Sequence, residues 1–272
     1  MQDLKISPLA PQQFGKTMPV DGVEVFVGAS GETYGERANI LLATFAKGTV
    51  AAGVFTRSKC ASSPVEWCQS ALKEEHVGAL VVNAGNANAF SGKKGQLSVD
   101  KIASYVAREK QILPQEIMLA STGVIGEPLD PQPVLDTLKT IQGGASADFE
   151  AAACAIMTTD TYAKGAMATF VDDGVEVPIV GIAKGSGMIA PDMATMLSFV
   201  FTDMVIAKPV LNEILQDQVK TSFNAITVDS DTSTSDTLIV FATGKSKNRG
   251  VKPITSMDDA RVGAFSKALG DV

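Results

Sequence analysis

"AKGSGMIAPDMATMLSFV", residues 183–200, carries only Lys184 and Asp192 as charges and passes through Gly185, Gly187 and Pro191 before its apolar run begins. The glycines and the proline read as turn residues, and the following ATMLSFVF reads as a core strand. Working outward, strands are expected at 23–29 (VEVFVGA), 38–45 (ANILLATF) and 49–56 (TVAAGVFT), and again in GALVVNAG, EIMLAST and TLIVFA. SSPVEWCQSALKEE reads as a helix with Ser63 as N-cap and Pro64 at its first position. SVDKIASYVAREK, PQPVLDTLKTIQGG, SADFEAAACAIMTTD and KPVLNEILQDQVKTSFNAI are helical by period. SMDDARVGAFSKALGDV places Val262, Phe265 and Leu269 on one helical face. Strands and helices mix without the regular beat of βαβ units. The expected fold is a layered α/β sandwich with mixed and largely antiparallel sheets, not a Rossmann fold.

Composition narrows the function. The 272 residues include 23 basic and 30 acidic side chains, a formal net charge of −7, and the pI is near 4.8. With no basic stripe, nucleic acid is not an expected partner. The apolar runs are far shorter than the ~20 residues that cross a bilayer, and the first residues lack the pattern of a secretory signal, so a cytoplasmic protein without a membrane partner is expected. Cys60, Cys68 and Cys154 form no CxxC pair and are expected as reduced, mostly buried thiols. The sole histidine, His76, lies in a charged helix end, so any Ser-His-Asp triad or histidine zinc site would have to be built on this one residue. DSDTSTSD (229–236) begins like a calcium loop but has Thr234 and Val240 where the loop needs glycine and glutamate. It reads instead as a hydroxyl-rich turn, and no metal is expected.

A threonine can act as a nucleophile without histidine when its own α-amino group is free to serve as base. Thr195 would gain that amine if its hydroxyl attacked the Ala194 carbonyl, shifted the peptide to an ester and let water release the new N-terminus. Small, flexible neighbours such as Gly185 and Gly187 favour such a turn, and the β-branch of threonine restricts the aim of its hydroxyl. The competing reading leaves Thr195 as one more strand residue. ASTGVIG sets Thr122 and Gly123 where a strand breaks. That is either a plain terminating turn or a pair of donors for the oxyanion of an acyl-transfer intermediate.

Taken together, AGVFTRSKCASSPV, NAGNANAFSG, ASTGVIGEPL, AIMTTDT, AKGSGMIAPDMATMLSF and SFNAITVDSDTSTSDT resemble the ornithine acetyltransferase family, the glutamate N-acetyltransferases of the cyclic arginine pathway. The stretches stand in family order over nearly the whole chain. Phe90 stands where members often carry cysteine, and Arg57 replaces a commoner small polar residue. The resemblance implies a sandwich like that of the N-terminal-nucleophile hydrolases and self-cleavage between Ala194 and Thr195. The products would be an α fragment, 1–194, and a partial β fragment, 195–272, assembled as an α2β2 heterotetramer. It implies Thr195 as the acetyl-accepting nucleophile, Thr122 and Gly123 as oxyanion donors, and Lys184 with Thr159, or else Thr158, as substrate contacts. The small-molecule substrates would be N-acetylornithine and glutamate. No cofactor is implied, although some members accept acetyl-CoA. Family members continue past this chain's end with further substrate-binding residues, so the chain reads as a shortened form. Two alternatives stand beside this reading: a self-processing aminopeptidase or amidase with the same nucleophile, and an inactive truncated remnant.

Overall fold

The computed structural model describes residues 6–8, 10–31, 33–189 and 196–272. One sheet contains β1 (Val23–Gly28), β2 (Ile40–Phe45), β4 (Ala79–Asn86) and β5 (Ile117–Val124), in the order β1-β2-β4-β5. The other contains β3 (Val50–Phe55), β6 (Lys164–Asp172), β7 (Val175–Lys184), β8 (Leu197–Thr202) and β9 (Thr237–Ala242), in the order β3-β9-β8-β7-β6. Among the strand pairs of the described residues, β4–β5 and β8–β9 are parallel and the other five antiparallel, so both sheets are mixed and mostly antiparallel, as expected.

Alternation along the strands builds the layers, because successive side chains point to opposite faces. Leu41 and Ala43, Leu80 and Val82, and Met118 and Ala120 turn inward from the first sheet and meet Val180, Ile182, Phe199, Phe201, Ile239 and Phe241 from the second. Their neighbours Ile40, Leu42, Val81, Ile117 and Leu119 face outward onto α2 (Gly92–Lys110) and α3 (Pro131–Ile141). On the far side, Ile179, Val200, Leu238 and Val240 pack against α5 (Lys208–Thr221) and α6 (Val262–Gly270). The result is an αββα sandwich. The central strands have both faces covered, which is why β8 and β9 are buried end to end and β2 along all but its last residue, and why all three are mostly apolar. Two shorter helices, α1 (Ser63–Ala71) and α4 (Phe149–Ala155), contribute Cys68, Ala71, Phe149 and Ala152 to the core between the sheets. Val262, Phe265 and Leu269 of α6 are buried, as their spacing predicts.

Three expectations need correction. The α1 N-cap is Ser62, not Ser63, because Ser62 is held extended while its N–H donates to the Thr234 carbonyl at 2.8 Å. Among the cysteines only Cys68 is buried; Cys60 and Cys154 are exposed. The β6–β7 hairpin was not anticipated, since KGAMATFVD is poor in β-branched residues. Its signal was the Asp173-Gly174 pair between Asp172 and Val175, where both residues take positive φ (47° and 81°). That is the two-residue turn whose twist suits a hairpin.

The segments 1–194 and 195–272 are not side by side. β8 and β9, from the downstream segment, lie between β7 and β3 of the upstream one. No helix among the described residues is long and apolar enough to cross a membrane. Phe201 is fully buried, with its ring 5.6 Å from Phe241 and 5.3 Å from Phe149. Replacing it with alanine is expected to lower stability by about 3–5 kcal/mol, read from the midpoint of urea unfolding.

Candidate active site

The strands of the second sheet finish level with one another at one rim. Lys184, the last residue of β7, opposes Leu197 at the start of β8; Leu197 opposes Thr237 at the start of β9; Thr237 opposes Phe55 at the end of β3. Residues just beyond these positions therefore gather at the same edge, Met196 and Asp236 among them. In the first sheet the parallel strands β4 and β5 end at Asn86 and Val124. The start of α1 joins the two rims, Ser62 N–H donating to Thr234 O at 2.8 Å and Ser63 N–H to Asn88 O at 3.3 Å, while Ala87 N–H to Val124 O at 2.8 Å holds the first rim together.

Thr122 is buried and Gly123 is exposed where β5 departs from regular pairing with β4. Gly123 has φ of 132°, and a Cβ there would stand 2.2 Å from the Gly85 carbonyl carbon. Only glycine allows the two strand ends to approach this closely. The sequence TTD after α4 forms a turn anchored by Asp160. Its buried carboxylate accepts from Lys164 Nζ at 2.6 Å, from Gly185 N–H at 2.7 Å and from Thr158 N–H at 3.2 Å. Burial works to raise the Asp160 pKa. The Lys164 and Gly185 hydrogen bonds, with the charges of Lys164 and Lys184, outweigh it and hold the carboxyl below its ordinary range.

Lys184 is 3% exposed, and its ammonium donates to Thr158 Oγ1 at 3.1 Å. Burial pulls its pKa down, opposed by the charges of Asp160 and Asp236. The rim thus holds a cation that water barely reaches, flanked by carboxylates, beside a hydroxyl-bearing turn. A buried ammonium of this kind suits an anionic ligand, because an added carboxylate would offset its desolvation.

Of the residues singled out from sequence, Thr158 and Lys184 meet directly, while Thr159 is exposed on the same turn. Thr122 and Gly123 occupy the adjoining rim. Ala194 and Thr195 lie outside the described residues, but the residues flanking that stretch are both tied down. Ile189 N–H donates to Asp229 Oδ1 at 3.0 Å, and its carbonyl accepts from Val228 N–H at 2.7 Å. Met196 N–H donates to Asp236 Oδ1 at 2.7 Å, and its carbonyl accepts from Thr237 N–H at 2.9 Å. The hydroxyl-rich turn at 229–236 is therefore a brace for both ends of that stretch.

Two acids were overlooked. Asp160 stood inside TTD, where only the threonines drew notice. Asp236 lies within the calcium-like pattern, and an acid so close to the apolar run LIVFA was the available signal. Burial pushes the Asp236 carboxyl up to about 7, against the pull of the Met196 N–H, the Lys184 charge and the Ser233 hydroxyl. An unfolded aspartate titrates near 3.9, so between about pH 4 and pH 7 the folded state binds the extra proton. Stability contributed by the protonated form is complete below that window and is lost as pH rises through it. Asp236→Asn has no such loss. Urea unfolding of both proteins should show the variant gaining on the wild type across this window; a constant difference would contradict the assignment.

A model of the ArgJ family matches residues 26–272. Among curated relatives, the arginine biosynthesis bifunctional proteins ArgJ of Mesorhizobium japonicum and Bradyrhizobium diazoefficiens are each 50% identical over 268 residues. The match covers 98% of this chain and 65% of each relative, so the chain spans about two-thirds of their length. Among solved structures, the arginine biosynthesis bifunctional protein ArgJ of Bacillus halodurans aligns with a TM-score of 0.57 and 29% identity over 65% of this chain and 92% of its own. Ornithine acetyltransferase from Mycobacterium tuberculosis, complexed with ornithine, gives 0.53 and 25% identity over 69% and 98%. An L-aminopeptidase D-Ala-esterase/amidase from Ochrobactrum anthropi, described as a variant of the Ntn hydrolase fold, gives 0.50 and 13% identity over 99% and 88%. That last likeness concerns the fold alone, and it agrees with the expected sandwich.

Proposed function

This chain belongs to the ArgJ family, and from that premise we propose that it carries the nucleophile and much of the pocket of an N-acyltransferase of arginine biosynthesis. The enzyme moves acetyl from N-acetylornithine to glutamate. The observation that carries the reading is the buried Lys184–Thr158 pair on the rim where Met196, the residue after Thr195, is pinned. A second observation supports a cut chain. Sixty-nine per cent of this chain accounts for 98% of the M. tuberculosis chain. That solved chain is therefore shorter than this one, and about as long as the piece upstream of Thr195.

Maturation begins when Thr195 Oγ attacks the Ala194 carbonyl. The peptide becomes an ester, water cleaves it, and Ala194 leaves as a carboxylate while Thr195 gains a free α-amine. With a pKa of about 7.7–8.0, that amine is partly neutral near pH 7.5 and accepts the hydroxyl proton. Thr195 Oγ then attacks the acetyl carbonyl of N-acetylornithine, the C–N bond breaks, and the proton passes to the departing ornithine amine. The glutamate amine attacks the acetyl ester in turn, giving N-acetylglutamate and restoring the hydroxyl. Thr122 and Gly123 donate to the oxyanion in each tetrahedral intermediate. Lys184 holds a substrate carboxylate, with Thr158 or Thr159 beside it. Ester exchange of this kind needs neither metal nor bound cofactor. Because β8 is bonded to β7 and β9, the fragments stay paired after cleavage, as the α and β chains of a cytoplasmic α2β2 assembly.

Intact mass of the full-length protein should show two chains parted at Ala194–Thr195. Thr195→Ala should give one uncut chain and no transfer, whereas Thr195→Ser should retain part of both. Ornithine release from N-acetylornithine should depend on glutamate, and release that runs mainly without it would instead identify an amidase. Thr122→Ala should lower kcat by about 10²–10³-fold; an unchanged kcat would remove Thr122 from the site.

A further inference from the structure

Asp236 is fully buried immediately before β9, whose residues after Thr237 are all apolar. Its Oδ1 accepts the Met196 N–H at 2.7 Å; its Oδ2 makes no bond in full hydrogen-bond geometry among the described residues, although the Ser233 hydroxyl lies close enough to favour its charged form. A buried carboxyl oxygen left short of a full hydrogen bond costs a fold stability. Packing gives no reason for it: Thr237 already holds the Met196 carbonyl through its backbone, so the ladder between β8 and β9 forms without any acid at 236. Its placement is nevertheless specific. The amide it holds is the one that joins Met196 to Thr195. The cation that acts on Asp236 is Lys184, which faces Asp160 and Lys164 in turn.

We propose that Asp236 is a positioning residue of the acyl-transfer site: its Oδ1 clamps the Thr195–Met196 amide on the rim where Lys184 is buried. The inference rests on the reading of Thr195 as nucleophile. Asp236 acts through the residue that follows the nucleophile and through the lysine, without touching substrate. The geometry asks for an acceptor at Oδ1, and that acceptor sits on a group that titrates near Lys184; the two features separate experimentally. An asparagine keeps the acceptor and loses the charge, whereas an alanine loses both.

The test compares wild type, Asp236→Ala and Asp236→Asn in the full-length protein. Three readouts are taken: hydrogen exchange at the Met196 amide, kcat and KM for acetyl transfer to glutamate, and the pH profile of kcat/KM. Asp236→Ala is expected to deprotect the Met196 amide and lower kcat by about 10²-fold, the scale of a small misplacement of reacting groups, with KM changed less than about threefold. Asp236→Asn is expected to keep the amide protected and recover most of kcat at neutral pH, while losing the limb of the profile near pH 7. Wild-type kcat and Met196 protection in Asp236→Ala would overturn the proposal. So would a folded Asp236→Asn protein with an unaltered pH profile, even where Asp236→Ala does not fold. A wild type that transfers no acetyl would count against the function reading. Met196 exchange still decides the clamp in that case, and an amide as unprotected in wild type as in Asp236→Ala overturns it.

Discussion

Burying the Lys184 ammonium at the end of β7 is the constraint around which the rim is arranged. A desolvated cation is tolerable only beside opposite charge and hydrogen-bond acceptors. The chain supplies these from separate places: Asp160 on the turn after α4, Thr158 two residues before it, and Asp236 at the start of β9. Each partner fixes more than the lysine. Asp160 ties its turn to Gly185, just past β7, and Asp236 ties the start of β8 to the start of β9. Two connections on one edge of the sandwich thus gather around one buried side chain.

The same edge explains how a chain could be cut without coming apart. β8 enters the sheet immediately after the stretch that holds Thr195, and it is bonded on one side to β7 and on the other to β9. Phe199 and Phe201 from β8 lie in the core between the sheets. Removing the one peptide bond before Thr195 leaves these contacts in place, because the burial and the ladders of β8 begin downstream of that bond. A new N-terminus would therefore appear at a position whose downstream neighbours are already rigid, which is what a nucleophile requires.

Much of the fold was legible in the residues. The apolar runs of β2, β4, β8 and β9 and the periodic faces of α2, α3, α5 and α6 are strong local signals, since each must be covered by a neighbouring layer. The hairpin β6–β7 was harder to see because its first strand lacks β-branched residues, although Asp173-Gly174 marked its turn. In the site, Thr122, Gly123, Thr158, Thr159 and Lys184 were all marked in advance, and the fold sets them at adjoining rims. Asp160 and Asp236 escaped because an acidic residue in a polar turn looks solvated until its surroundings are known.

By itself, the sequence determined the layered α/β class and the order of most elements, and it offered Thr195 as a nucleophile that would need no histidine. Those properties follow from periodicity, turn chemistry and side-chain reactivity, all of which are local. Only the tertiary structure decided that the upstream and downstream segments share one sheet, that Lys184 is buried, and that two distant aspartates balance it. Burial and charge pairing depend on what else reaches the same place. Residues 160, 184 and 236 become neighbours only when β7, β8 and β9 align at a common edge.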